Sequence, residues 1–244
     1  MYGIEGINGL YLSNNLNLFQ ESLNLMSDDL SRDSFLAYLY GKVSFDWKYI
    51  VQYFVEPQYF QKDIVKLADD SVFIDCGAYN GDAIKSFIDY TKGNYLKIYA
   101  FEPDQKEFHQ LRNYVINYNL QNIIVINKAT GDKIGCVGFD QKTQSISDQS
   151  SISIETCCID DYLLNENNKV SFIKMDIEGY ELAALKGGSQ IISRDKPILA
   201  ISAYHKASDL ITIPQFIKTI EPDYKLYFRL HKTLPGDAVL YAIC

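Results

Sequence analysis

Two acids and two glycines stand where apolar runs stop: Asp75-x-Gly77-x-x-x-Gly81 closes a run that begins at Val72, and Glu102 closes another that begins near Leu96. A strand that ends in an acid and turns through glycines into a helix offers a carboxylate and backbone N–H groups to a small polar ligand. The dinucleotide fingerprint G-x-G-x-x-G is not met, because Gly77 is followed two residues later by Tyr79. A ligand that brings no pyrophosphate to the helix start, such as one with an amino-acid end, suits this turn better. Asp75 then meets the ligand's amine, directly or through water, and the N–H groups of the turn meet its carboxylate. Glu102, in Ala100-Phe-Glu-Pro103, has a carboxylate able to take both hydroxyls of a ribose, while Pro103 lacks a donor and starts the next helix cleanly. In this order within one βαβ unit, the residues predict a nucleoside ligand.

The elements that must position them follow from the alternation of short apolar runs and amphipathic segments that begins at Ser71, the pattern of βα units and a parallel sheet. The predicted strands are 72–76, 96–101, 123–127, 170–175 and 197–203, with helices over 82–90, 105–118, 181–185 and 209–220. Residues 131–155, rich in Gly, Ser, Gln and Asp, interrupt this order and predict a hairpin or long loop, with 152–158 as its returning strand and a short helix at 159–164. Two final strands, 224–230 and 238–243, are separated by 232–237 and predict an antiparallel hairpin. Residues 1–68 differ in texture, rich in Leu, Tyr, Phe and Asn, with Phe35, Leu36, Leu39 and Tyr40 at helical spacing, Ser34 and Asp46 as N-caps and Gly41 as a helix end. They predict a helical cap, with a lid over substrate or a homodimer contact as its uses.

With 244 residues and 47% hydrophobic content, the chain suits one large α/β domain with an appendage. A net charge of -8 without a basic run argues against a nucleic-acid partner, since phosphate neutralisation needs clustered Lys and Arg. No apolar segment reaches the roughly 18–20 residues of a membrane span. The start Met1-Tyr-Gly-Ile-Glu5 lacks the pattern of a secretion signal, so the expected location is cytoplasmic. The five cysteines lack C-x-x-C spacing and read as small apolar filler.

Ile74-Asp-Cys-Gly-Ala-Tyr-Asn-Gly-Asp82, Ala100-Phe-Glu-Pro103, Ile173-Lys-Met-Asp-Ile-Glu-Gly-Tyr-Glu-Leu182 with Leu185-Lys-Gly-Gly188, and Ser202-Ala-Tyr-His-Lys206 together resemble the FkbM-type family of S-adenosylmethionine-dependent methyltransferases. The resemblance covers about residues 70–244. It implies a Rossmann-like class I methyltransferase fold with a seven-stranded, mostly parallel sheet, and methyl transfer to a hydroxyl of a saccharide, nucleotide-linked sugar or other natural product. On it, residues 1–68 form the cap and 69–244 the methyltransferase domain. Asp75, Gly77, Ala78, Tyr79, Asn80 and Gly81 hold the methionine part of S-adenosyl-L-methionine, Glu102 the ribose, and the turn ending at Asp132 the adenine. Asp176 and Glu178 follow one strand and His205 another, so all three are expected at the cofactor edge. His205 is the expected general base, because an imidazole is the side-chain type suited to taking a proton from a hydroxyl near neutral pH. Asp176 then orients His205 or the acceptor, while Glu178, Tyr204, Lys206 and His231 are expected to meet substrate. Asp176, Glu178 and His205 also form a donor set compatible with a divalent metal, which ranks second to the metal-free site. An amine or phosphorylated acceptor, a non-catalytic nucleoside-binding or scaffold protein, and a dehydrogenase are the other readings.

Overall fold

The computed structural model describes residues 7–147, 150–232 and 237–244. In chain order the elements are α1 Gly9–Asn14, α2 Leu16–Asn24, α3 Asp29–Ser44, α4 Lys48–Val51, β1 Val72–Cys76, α5 Asp82–Thr91, β2 Lys97–Phe101, α6 Gln105–Asn117, β3 Ile123–Ile126, β4 Ala129–Thr130, β5 Gly135–Asp140, β6 Ser145–Ile146, β7 Ser153–Cys157, α7 Ile159–Leu163, β8 Phe172–Met175, α8 Glu181–Gly187, α9 Ser189–Asp195, β9 Ile198–Ser202, α10 Asp209–Ile220, β10 Lys225–His231 and β11 Asp237–Ile243. The main sheet has seven strands. The chain divides into two compact units, one of residues 62–198 and one of 1–61 with 199–244.

In the unit of residues 62–198, β1 lies between β2 and β8, and β3 lies beyond β2, all parallel. Every residue of β1 is buried, as a strand covered on both faces requires. Phe73 stacks on Phe87 of α5 and meets Phe172 of β8 edge-on, which fixes helix and strand together. Asp104 caps α6, its carboxylate accepting from the N–H groups of Lys106 and Glu107. The stretch predicted as a hairpin or long loop is a small separate sheet of order β4-β7-β5-β6. The helix predicted over 181–185 runs to Gly187 and is followed at once by α9, for which the sequence analysis has no predicted helix.

In the other unit the strand order is β10-β11-β9, antiparallel throughout, in accord with the predicted C-terminal hairpin. Most of the predicted link over 232–237 lies outside the described residues. The N-terminal part is helical as predicted, with its boundaries displaced. Asp28, not Ser34, caps α3 by accepting from the Ser31 N–H, and Gly41 sits inside that helix. A Cβ at Gly41 would lie 2.6 Å from the Ile50 side chain, so this glycine serves close packing of α4 rather than termination. The same segment covers β10. Ser27 N–H donates to Leu226 O at 2.8 Å and Val55 N–H to Leu230 O at 2.9 Å, with bridges at Met26 and Phe54. Arg229, almost wholly buried, is held by Asp28 at 2.6 Å and by Ser31 at 2.7 Å. Burial would raise the Asp28 carboxyl, but its hydrogen bonds to Arg229 and Ser31 outweigh that and hold it at about 2. Among the described residues, no helix is long and apolar enough to cross a membrane, and all five cysteines are free.

Candidate functional site

The acids singled out in the sequence come to the C-terminal ends of parallel strands in the unit of residues 62–198. Asp75 is near the end of β1, Glu102 directly follows β2 and Asp176 directly follows β8. This is the edge at which open α/β sheets bind ligands. The turn after β1 passes through left-handed conformations at Gly77 (φ 79°), Tyr79 (φ 44°) and Gly81 (φ 91°). Gly77 has a second constraint: a Cβ there would stand 2.0 Å from Asp176 O, so the turns after β1 and β8 touch at the backbone. Tyr79 has no such licence, and its exposed side chain in a strained backbone marks the turn as a place where conformation is imposed.

Glu102 organises that turn. Its Oε2 accepts from the Tyr79 N–H and its Oε1 from the Asp104 N–H, both at 2.8 Å. Each carboxylate oxygen keeps a second lone pair, so ribose hydroxyls can still donate to it. Burial pushes the Glu102 carboxyl up to about 7, against the pull of those two N–H donors. The N–H groups of Gly77 and Ala78 both donate to Phe101 O at 3.0 Å. The expected contact between the N–H groups of this turn and a ligand carboxylate is therefore corrected for residues 77–79, whose donors already hold the turn itself. Asn80 is exposed, and its Oδ1 accepts from the Asp82 N–H.

Asp75 is fully buried beside Lys174, whose ammonium lies 3.0 Å from Asp75 Oδ1. Asp75 Oδ2 has no hydrogen-bond partner among the described residues. Burial pushes the Asp75 carboxyl up, to about 6, with Lys174 drawing it the other way. Burial also acts to lower the Lys174 pKa, but the Asp75 and Asp176 carboxylates outweigh it and raise it. A buried anionic oxygen without a partner fits the ammonium of an amino-acid ligand, and Glu102 fits a ribose, so the residues present suit S-adenosylmethionine. Lys174 was not predicted as a site residue. Its signal was a single charge inside an apolar run, at a strand position that pairs in register with Asp75.

Asp132 is exposed on the turn after β4. That turn is shaped from below: a Cβ at Gly187 would stand 1.9 Å from Gly131 O, and the Tyr180 ring would meet a Cβ at Gly131 at 3.0 Å. The Leu185-Lys-Gly motif thus lets α8 approach the backbone of the predicted adenine turn. Asp176 is half-buried and its N–H donates to Cys76 O, whereas Glu178 is exposed at φ 54°. Glu181 is the structural acid of this segment, its Oε1 accepting from Ile177 N–H at 2.9 Å and Gly179 N–H at 3.4 Å.

The remaining predicted residues belong to the other unit. Tyr204 and His205, both half-buried, have ring centroids 4.1 Å apart, and the exposed Lys206 donates its N–H to Asp209 Oδ2 at 2.7 Å. His231, expected to meet substrate, is fully buried. Its Nδ1 lies 2.8 Å from Val55 O and its Nε2 3.3 Å from the Tyr241 hydroxyl, and burial holds its pKa below the usual value. It is a core residue, and that expectation is corrected.

The structure of methyltransferase FkbM from Methylobacillus flagellatus KT is similar over 96% of this chain, with a TM-score of 0.85 and 32% identity. The chain spans 60% of the length of that protein. An rRNA methylase from Streptococcus thermophilus matches over 72% of this chain and 88% of its own, with a TM-score of 0.48 and 14% identity. SMU.1697c from Streptococcus mutans, solved in complex with SAH, matches over 72% and 89%, with a TM-score of 0.46 and 13% identity. No curated protein matches the chain. The family model described as the methyltransferase FkbM domain matches residues 75–221, a span that contains Asp75, Glu102, Lys174 and Asp176. With its Rossmann-like class I methyltransferase fold, the chain belongs to the FkbM methyltransferase family.

Proposed function

We propose that the chain is an S-adenosylmethionine-dependent methyltransferase that acts on a hydroxyl of a saccharide or nucleotide-linked sugar. The observation that carries the cofactor is the pairing of a buried carboxylate oxygen without a partner, Asp75 Oδ2, with the Glu102 carboxylate at the ends of adjacent parallel strands. Asp75 would hold the ligand's amine, Glu102 its ribose, and the turn ending at Asp132 its adenine. The bound cofactor supplies a methyl group on a sulfonium, which is already a good leaving group, so the protein has to align the acceptor and take its proton. The hydroxyl acceptor rests on the family to which the chain belongs, and His205 is the proposed base because an imidazole near neutrality suits that proton.

Calorimetry with S-adenosylhomocysteine and with NAD tests the cofactor. Binding of the former and not the latter is expected, and absence of S-adenosylhomocysteine binding would overturn the proposal. Transfer of labelled methyl to a panel of sugar nucleotides tests the acceptor. With an acceptor in hand, His205→Ala should abolish the neutral-pH limb of the rate profile, whereas loss of turnover with a chelator would support the metal-assisted version.

A further inference from the structure

Lys174 is out of place by ordinary packing rules. It sits inside β8 between Ile173 and Met175, is 4% exposed, and replaces the apolar residue that a doubly covered parallel strand calls for. A buried ammonium costs more to desolvate than an aliphatic side chain of similar volume, so stability alone does not account for it. Its contacts show what it is used for. Parallel register sets Lys174 beside Asp75, and the ammonium lies 3.0 Å from Asp75 Oδ1. It also donates to Gly77 O at 2.7 Å and lies 3.5 Å from Cys76 O. One cation therefore grips the last acid of β1 and the carbonyls of the two residues that follow it.

We infer that Lys174 is a positioning residue for the amino-acid end of the cofactor, an inference that rests on the proposed function. With Oδ1 held by Lys174, Oδ2 is the oxygen of Asp75 left to receive the ligand's ammonium. With the Gly77 carbonyl turned to Lys174, the Gly77–Ala78 peptide plane is fixed, and the Ala78 N–H is directed to Phe101 O. Lys174 therefore sets both the carboxylate and the turn from behind, its close contacts lying at Asp75, Cys76 and Gly77, while its charge reaches Glu102, which with the Asp132 turn defines the nucleoside half of the site, only at longer range.

That division supplies the test. Adenosine carries the ribose and adenine but not the amino-acid end, whereas S-adenosylhomocysteine carries both. Calorimetric titration of wild type and Lys174→Met with each ligand should show S-adenosylhomocysteine affinity reduced by at least about 10-fold, the scale of a lost hydrogen bond to a charged group. Adenosine affinity should stay within about 2-fold. Equal loss of both ligands would reduce Lys174 to a folding role and overturn the inference, as would unchanged S-adenosylhomocysteine binding. If Lys174→Met fails to fold, Lys174→Gln carries the same comparison, because its amide keeps hydrogen-bond donors at this position but removes the charge that holds Asp75 Oδ1. Wild-type protein that bound neither ligand would sink the proposed function and this inference together, whereas wild-type binding with an unaffected variant would overturn only the inference.

Discussion

Glu102 shows how one side chain couples protonation to binding. Its carboxyl titrates at about 7 in the fold against an ordinary value of 4.5, so the unfolded chain ionises first as pH rises. Its contribution to stability in the unliganded protein therefore declines from about pH 4.5 to about pH 7. Ribose hydroxyls donate to the ionised form, so affinity for S-adenosylhomocysteine should rise from about pH 6 to about pH 8. Glu102→Gln should remove the upper part of that dependence, leaving the part set by Asp75, whose carboxyl lies at about 6, and weaken binding at the upper end about 10-fold, as measured by calorimetry across the range. Gly77→Ala faces a different obstacle. A left-handed φ and a Cβ placed 2.0 Å from Asp176 O combine to cost about 3 kcal/mol, visible as a lower midpoint in denaturant titration together with loss of ligand binding. Asp75 and Glu102 were legible in the sequence because acids that end apolar runs stand out. Lys174 was only half legible, since its role depends on a cross-strand register that no local pattern reveals.

Among the elements, the starts of α5, α6 and α8 were legible and those of α9 and the N-terminal helices were not, in the N-terminal case for a physical reason. In a βα unit the helix start is fixed by the turn before it, as Asp104 shows for α6. The start of α3 depends on Asp28, which caps the helix and also pairs with Arg229, 201 residues away. His231 misled in the same way, its burial being completed by Val55 from a distant part of the chain. Asp28→Ala should cost about 3 kcal/mol, from the lost cap and a buried guanidinium left without its carboxylate, measurable by urea unfolding. Because the Asp28 carboxyl is held at about 2 in the fold, this contribution is complete above the ordinary value of 3.8 and disappears as pH falls from there towards about 2. In α8, Gly187→Ala should push the helix off Gly131 O, and adenosine affinity should fall with it by about 10-fold or more, since the turn it displaces is the proposed adenine contact.

At the scale of the molecule, the N-terminal segment protects an edge. β10 is the last strand of its sheet, and an uncovered edge is a template for pairing with other chains. The Ser27 and Val55 N–H bonds, with the bridges at Met26 and Phe54, occupy part of its outer side. A chain lacking residues 1–61 should self-associate, which light scattering against the chain of residues 1–244 would reveal; a monodisperse monomer would count against this role. The same arrangement bears on synthesis. The unit that contains β10 is assembled from both ends of the chain, residues 1–61 and 199–244, with the whole of the other unit translated between them. At roughly 5–20 residues per second, the N-terminal helices emerge on the order of 10 s before the strands that bury Phe35 and Tyr38 exist. During that interval Phe35 and Tyr38 lack the Phe228 ring against which both pack edge-on in the folded protein, so their burial waits for the last strands to be made.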